Sequence, residues 1–205
     1  MSNFKTIKND SKSELIIKKS TFITRLIKTD NEKDASEKLK DIKKEFRDAT
    51  HNCSAWRIGD DGRYQRSSDD GEPQGTAGKP MLEILNKGDI TNILVVVTRY
   101  FGGIKLGAGG LIRAYAQAVA RAIEEANLIE VKTYYDTIIN CTYKEAEIIK
   151  HLLEEEQIEI EDIVYTENVT MEFHLLPEKK ERMESIIIDK TNGSSKLEIL
   201  GEVKK

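Results

Sequence analysis

Five of the chain's thirteen glycines lie between residues 102 and 110, in the run Thr98-Arg99-Tyr100-Phe101-Gly102-Gly103-Ile104-Lys105-Leu106-Gly107-Ala108-Gly109-Gly110. The flanks of that run leave few folds open. Ile93 to Val97 is five consecutive apolar residues, the pattern of a buried strand. Leu111 to Ala126 puts Leu111, Tyr115, Ala118, Val119, Ala122, Ile123 and Ala126 on one helical face. A strand that runs through glycines into a helix leaves free backbone amides at the helix start, where an anion is favoured. Arg99, Lys105 and Arg113 stand beside that turn. The same glycines would also serve tight backbone packing alone.

The motif is not a dinucleotide fingerprint, because the sixth position of the run beginning at Gly107 is Ile112. A P-loop fails as well. Gly78-Lys79 could be its end, but Pro73 and Pro80 stand where the first glycine and the hydroxyl residue belong, and each removes an amide.

The other polar concentration is Ser67-Ser68-Asp69-Asp70-Gly71-Glu72-Pro73-Gln74-Gly75-Thr76-Ala77-Gly78, which reads as a long loop leading into a helix at Pro80–Leu85. Asp69, Asp70 and Glu72 are candidate catalytic carboxylates, for acid–base work or a divalent cation; turn-forming aspartates in a solvated loop are the plainer reading. His51 and Cys53 alternate on a predicted strand, His51–Ile58, with no third group to orient them as a nucleophile and base. Two cysteines and three histidines supply a zinc site poorly, and no metal or cofactor is implied.

The remaining pattern separates two parts. Glu14–Thr29 reads as two strands joined by a tight turn near Lys18–Ser20, and Ala35, Leu39, Ile42 and Phe46 mark one stripe of a helix opened by Asp30 and Asn31. Asp60-Asp61-Gly62 reads as a hairpin tip. From Lys132 the predicted order is strand Thr133–Cys141, helix Lys144–Glu155, strands Ile158–Tyr165 and Val169–Leu175, helix Pro177–Asp189 and strand Leu197–Val203. That βαββαβ order is the ferredoxin-like arrangement. Residues 1–130 hold 22 Lys and Arg against 19 Asp and Glu, whereas 131–205 hold 10 against 17, so a net charge of −4 hides a cationic part and an acidic one. No apolar run approaches the length of a membrane span, and the first ten residues lack the apolar segment of a secretory signal, so the expected location is the cytoplasm.

The stretch Asp69–Gly78, followed by Val97-Thr98-Arg99-Tyr100-Phe101-Gly102-Gly103-Ile104-Lys105-Leu106-Gly107-Ala108-Gly109-Gly110-Leu111-Ile112-Arg113-Ala114-Tyr115, resembles the signature of the IMPACT (YigZ/YvyE) family. The resemblance implies an α+β chain. An amino-terminal α/β domain of the ribosomal protein S5 domain 2-like fold would span 1–131. A carboxy-terminal ferredoxin-like domain similar to domain V of elongation factor G would span 132–205. It also implies a link to translation. The family's eukaryotic members regulate translation during amino-acid starvation by protein binding, with an extra amino-terminal module not present here.

Three functions follow as expectations. The first is a non-enzymatic protein that binds RNA, the ribosome or a translation-factor surface. There Arg99, Lys105, Arg113 and Lys79 would meet phosphate; Gly102, Gly103, Gly107, Gly109 and Gly110 would let the backbone approach; and Tyr100 and Phe101 would be available for stacking. The second is an enzyme acting on a phosphorylated or nucleotide-like small molecule through Asp69, Asp70 and Glu72. The third is a protein-binding adaptor, which would expose an apolar patch.

Overall fold

The computed structural model describes residues 3–205, which form two compact units, one ending at Val131 and the other spanning Lys132–Lys205. In the first, the chain order is β1 (Phe4–Ile7), β2 (Ser11–Ile17), β3 (Ser20–Lys28), α1 (Glu32–Glu45), β4 (His51–Ile58), β5 (Tyr64–Ser68), α2 (Gly78–Gly88), β6 (Ile93–Tyr100), α3 (Ala108–Glu125) and β7 (Leu128–Val131). One antiparallel sheet joins β2, β3, β6, β4 and β5 in that order.

The central strand explains why five apolar residues follow one another. Side chains alternate across a strand, so Ile93, Val95 and Val97 enter the core under α2 and α3, while Leu94 and Val96 enter the one under α1. Burial of each is worth about 1.5–3 kcal/mol, which makes β6 the anchor of both layers. Asn31 caps α1 by accepting from the Asp34 amide at 2.9 Å. The predicted stripe Ala35, Leu39, Ile42 and Phe46 lies against the sheet, with the Arg25 guanidinium 3.9 Å from the centre of the Phe46 ring.

Three features differ from the sequence reading. β1 and β7 pair antiparallel, Phe4 with Val131 through Ile7 with Leu128; neither segment carries a periodic signal, and the pairing is wholly long-range. Tyr64–Ser68, to which the sequence reading assigns no element beyond Ser67 and Ser68 as the start of the polar loop, is an exposed edge strand paired to β4. α2 begins at Gly78 rather than Pro80.

The second unit contains β8 (Thr133–Cys141), α4 (Tyr143–Glu155), β9 (Ile160–Tyr165), β10 (Val169–Leu175), α5 (Lys180–Lys190) and β11 (Leu197–Lys204). Its sheet order is β11-β8-β10-β9, all antiparallel, the ferredoxin-like topology. Odd-numbered residues of β8 and β10, such as Ile139, Met171 and Phe173, are buried with Ile149 and Leu153 of α4 and Met183 and Ile187 of α5. Thr142 and Glu145 form a capping box at the start of α4. No helix of the described residues is long and apolar enough to cross a membrane.

Candidate functional site

The loop from Asp69 to Ala77 owes its shape to its own carboxylates. Asp69 accepts hydrogen bonds from the amides of Gly75 (2.7 Å), Ala77 (3.0 Å) and Gly78 (2.9 Å), so it caps α2 from eight residues upstream. Burial works against that charge, but the amides of Gly75, Gly78 and Ala77 outweigh it and hold the carboxyl below its usual range. α2 starts where those amides are satisfied, which accounts for its early first residue. Gly78 is needed there because a Cβ would lie 2.6 Å from the Ser68 nitrogen. Asp70 accepts from the Asn52 amide at 2.6 Å and pairs with Lys43 at 2.5 Å. Its carbonyl oxygen lies 2.8 Å from His51 Nδ1; a carbonyl only accepts, so that nitrogen carries the proton.

Glu72 turns inward. It is buried, and its Oε1 receives Arg99 Nη1 at 2.5 Å and the Tyr115 hydroxyl at 2.8 Å. Its Oε2 faces His51 Nε2 at 3.7 Å. Cys53 closes the cluster. Its one thiol proton can serve the Tyr115 oxygen at 3.3 Å or the Asp69 carbonyl at 3.0 Å. Burial pushes that thiol up to about 12 and also raises the Tyr115 hydroxyl, so both stay protonated at neutral pH. The loop, β4, β6 and α3 are thereby tied together through one carboxylate.

This corrects one expectation. Arg99 does not face solvent beside the glycines. It lies on the side of β6 that carries Val95 and Val97, is 5% exposed, and spends its charge on Glu72. The physical reason is alternation: Tyr100 and Thr98 take the opposite face, so Arg99 must enter the core under α3 and needs a buried partner. Asp69, Asp70 and Glu72, the candidate catalytic carboxylates, are each engaged in holding the loop. The described residues contain no group of three or more His, Cys, Asp or Glu placed to hold a metal ion.

The remaining predicted cations are exposed. Lys79 sits in the first turn of α2, Lys105 in the glycine segment, and Arg113 in α3, its Nη1 3.6 Å from where a Cβ on Gly109 would stand. None of the three has an ion-pair partner among the described residues. Gly103 and Gly107 adopt positive φ, +86° and +72°, while Gly109 and Gly110 lie in the first turn of α3, which no side chain caps. Gly102 packs against the β2–β3 turn. Phe101, Ile104 and Ile112 are 45%, 41% and 42% exposed along the same segment, and the Phe101 ring centre is 5.5 Å from the Arg99 guanidinium. Tyr100 is less available, since its hydroxyl is bonded to Asp48.

Some of this was readable and some was not. From Ile90 to Ile123 there are 34 consecutive residues without Asp or Glu, in a chain with 36 acidic residues. That gap marks the cationic segment and needs no coordinates. Tyr115 sits within an apolar helical stripe, so its polar bond to Glu72 had no sequence signal.

A model of the Impact N-terminal domain matches residues 18–123, and a domain of unknown function (DUF1949) matches residues 139–194. The IMPACT family member YvyE of Bacillus subtilis (strain 168) is 41% identical over 190 residues, 93% of this chain and 88% of that protein. The IMPACT family member YigZ of Escherichia coli (strain K12) is 42% identical over 139 residues, 67% of this chain and 68% of that one. A solved structure described as a crystal structure of an hypothetical protein superposes with a TM-score of 0.62 at 34% identity, covering 98% of each chain.

Proposed function

This chain belongs to the IMPACT family, and from that premise we propose that it is a translation-linked accessory protein that binds RNA of the translation machinery through its glycine segment. The carrying observation is that Lys105 and Arg113 are exposed and have no ion-pair partner among the described residues, on a segment of 34 residues without a negative side chain. Of the carboxylates bonded to the end of β6, Glu72 is cancelled by Arg99 and Asp48 accepts from the Tyr100 hydroxyl. The contrast between the two helix starts supports the same reading. α2 has its amides filled by Asp69, whereas the first turn of α3 has neither a capping side chain nor an acidic residue. Phosphate would complete α3 as a carboxylate completes α2. Phe101, half-exposed beside these cations, offers a face on which a base can stack.

The test is filter binding of single-stranded RNA across a salt series. Affinity should fall linearly on a log–log plot, and Lys105→Ala and Arg113→Ala should each flatten the slope by about 0.7. No binding at about 50 mM salt, or a slope indifferent to both substitutions, refutes the reading. A second reading draws on the exposed Phe101, Ile104 and Ile112, which suit a protein surface. Ribosome co-sedimentation that survives nuclease but is lost in Ile104→Asp would favour it.

A further inference from the structure

We infer that the β2–β3 hairpin tip, Lys18–Lys19, forms a second wall of the same polyanion surface, so that phosphates are held between two lysine-bearing loops. This rests on the RNA-binding reading above. The tip is a two-residue turn: Ile17 pairs with Ser20, and Lys18 and Lys19 stand at φ +46° and +66°. Asn-Gly is the natural occupant of such a turn, and a residue with a Cβ pays in stability at both positions. Two lysines there are therefore not what folding alone selects.

The tip is docked on the glycine segment. A Cβ on Gly102 would lie 1.9 Å from the Lys19 carbonyl oxygen and 2.5 Å from the Ser20 nitrogen, so only glycine lets the two backbones meet. Ser20 Oγ accepts from the Gly102 amide at 3.2 Å and fixes the junction. Both lysines are exposed, and neither has an ion-pair partner among the described residues. Leu15–Thr29, like Ile90–Ile123, contains no acidic residue, and it holds Lys18, Lys19, Arg25 and Lys28. Two acid-free segments thus meet at one point, with Phe101 adjacent to the contact. Charge of one sign from two backbones, beside an exposed aromatic ring, fits a nucleic-acid strand with successive phosphates and unstacked bases.

The experiment replaces Lys18→Asn and Lys19→Gly together in the full chain. This pair is the preferred sequence for the turn, so the unfolding midpoint followed by the fluorescence of Trp56 should hold or rise. Affinity for a labelled 20-nucleotide oligouridylate should nevertheless fall roughly tenfold at low salt, and the log–log salt slope should shrink by about 1.4, two single-strand phosphate contacts. If Lys105→Ala weakens binding while the Asn-Gly variant leaves affinity and slope unchanged, the hairpin inference is overturned and the RNA reading stands. If the unsubstituted chain binds no oligouridylate, both fall. A loss of affinity matched by a lower unfolding midpoint assigns the lysines a structural role and overturns the inference. Polyglutamate competing as well as RNA of equal charge would overturn the nucleic-acid assignment in favour of an acidic protein partner.

Discussion

Replacing Glu72 by glutamine should be among the most damaging single-atom-scale changes available to the first unit. Glu72→Gln keeps the shape and an acceptor for the Tyr115 hydroxyl, but it leaves the Arg99 guanidinium buried without a counter-charge. Arg99 is 5% exposed, so little solvent reaches the guanidinium to replace the lost charge. Breaking one side of such a buried pair costs about 3–5 kcal/mol. Arg99→Met removes the other charge and leaves the Glu72 carboxylate buried without its counter-ion, at a similar cost. The double variant should recover about 2–3 kcal/mol of the summed loss, because neither charge remains to be solvated. Trp56, the chain's one tryptophan, is buried in β4 and reports this unit alone. With a urea slope near 2 kcal/mol per M, Glu72→Gln should move the midpoint by about 2 M. A cost below about 1 kcal/mol, or a double variant equal to the sum of the singles, would refute the buried-pair account.

Two further outcomes follow from the same loop. Because the Asp69 carboxyl is held below its usual range when folded, its stabilisation is present above the unfolded carboxylate value and is lost as pH falls through the folded one; Asp69→Asn should therefore weaken the protein at neutral pH and flatten the acid limb of its pH–stability curve, and an unchanged limb would remove Asp69 from its capping role. Cys53 and Cys141 are both buried, and burial pushes the Cys53 thiol up to about 12; a thiol reagent at pH 8 should label neither until denaturant is added, whereas rapid native labelling of Cys53 would show the cluster to be open.

Much of the fold was legible because its signals are local. The apolar run Ile93–Val97, the stripe of α1 and the βαββαβ order each announce an element through a period of two or 3.6 residues, and the elements stand where those periods put them. The pairing of β1 with β7 was not legible, since the segments are short and their partners more than a hundred residues apart. The candidate site divides in the same way. Glycines, lysines and the absence of acids are properties of composition, and the exposed part of the surface follows from them.

What only the tertiary structure decided is which charges remain free. Arg99, Asp69, Asp70 and Glu72 look in sequence like the reactive groups of this chain, yet strand alternation and the fold of the loop turn Arg99 and Glu72 onto each other and Asp69 and Asp70 onto backbone amides. Lys18 and Lys19 look like an ordinary turn, yet Gly102 brings them to the glycine segment across 82 residues of chain. A side chain's charge is written in its chemistry. Whether that charge faces water or a partner depends on which backbones meet, and that is settled by the packing of the whole sheet.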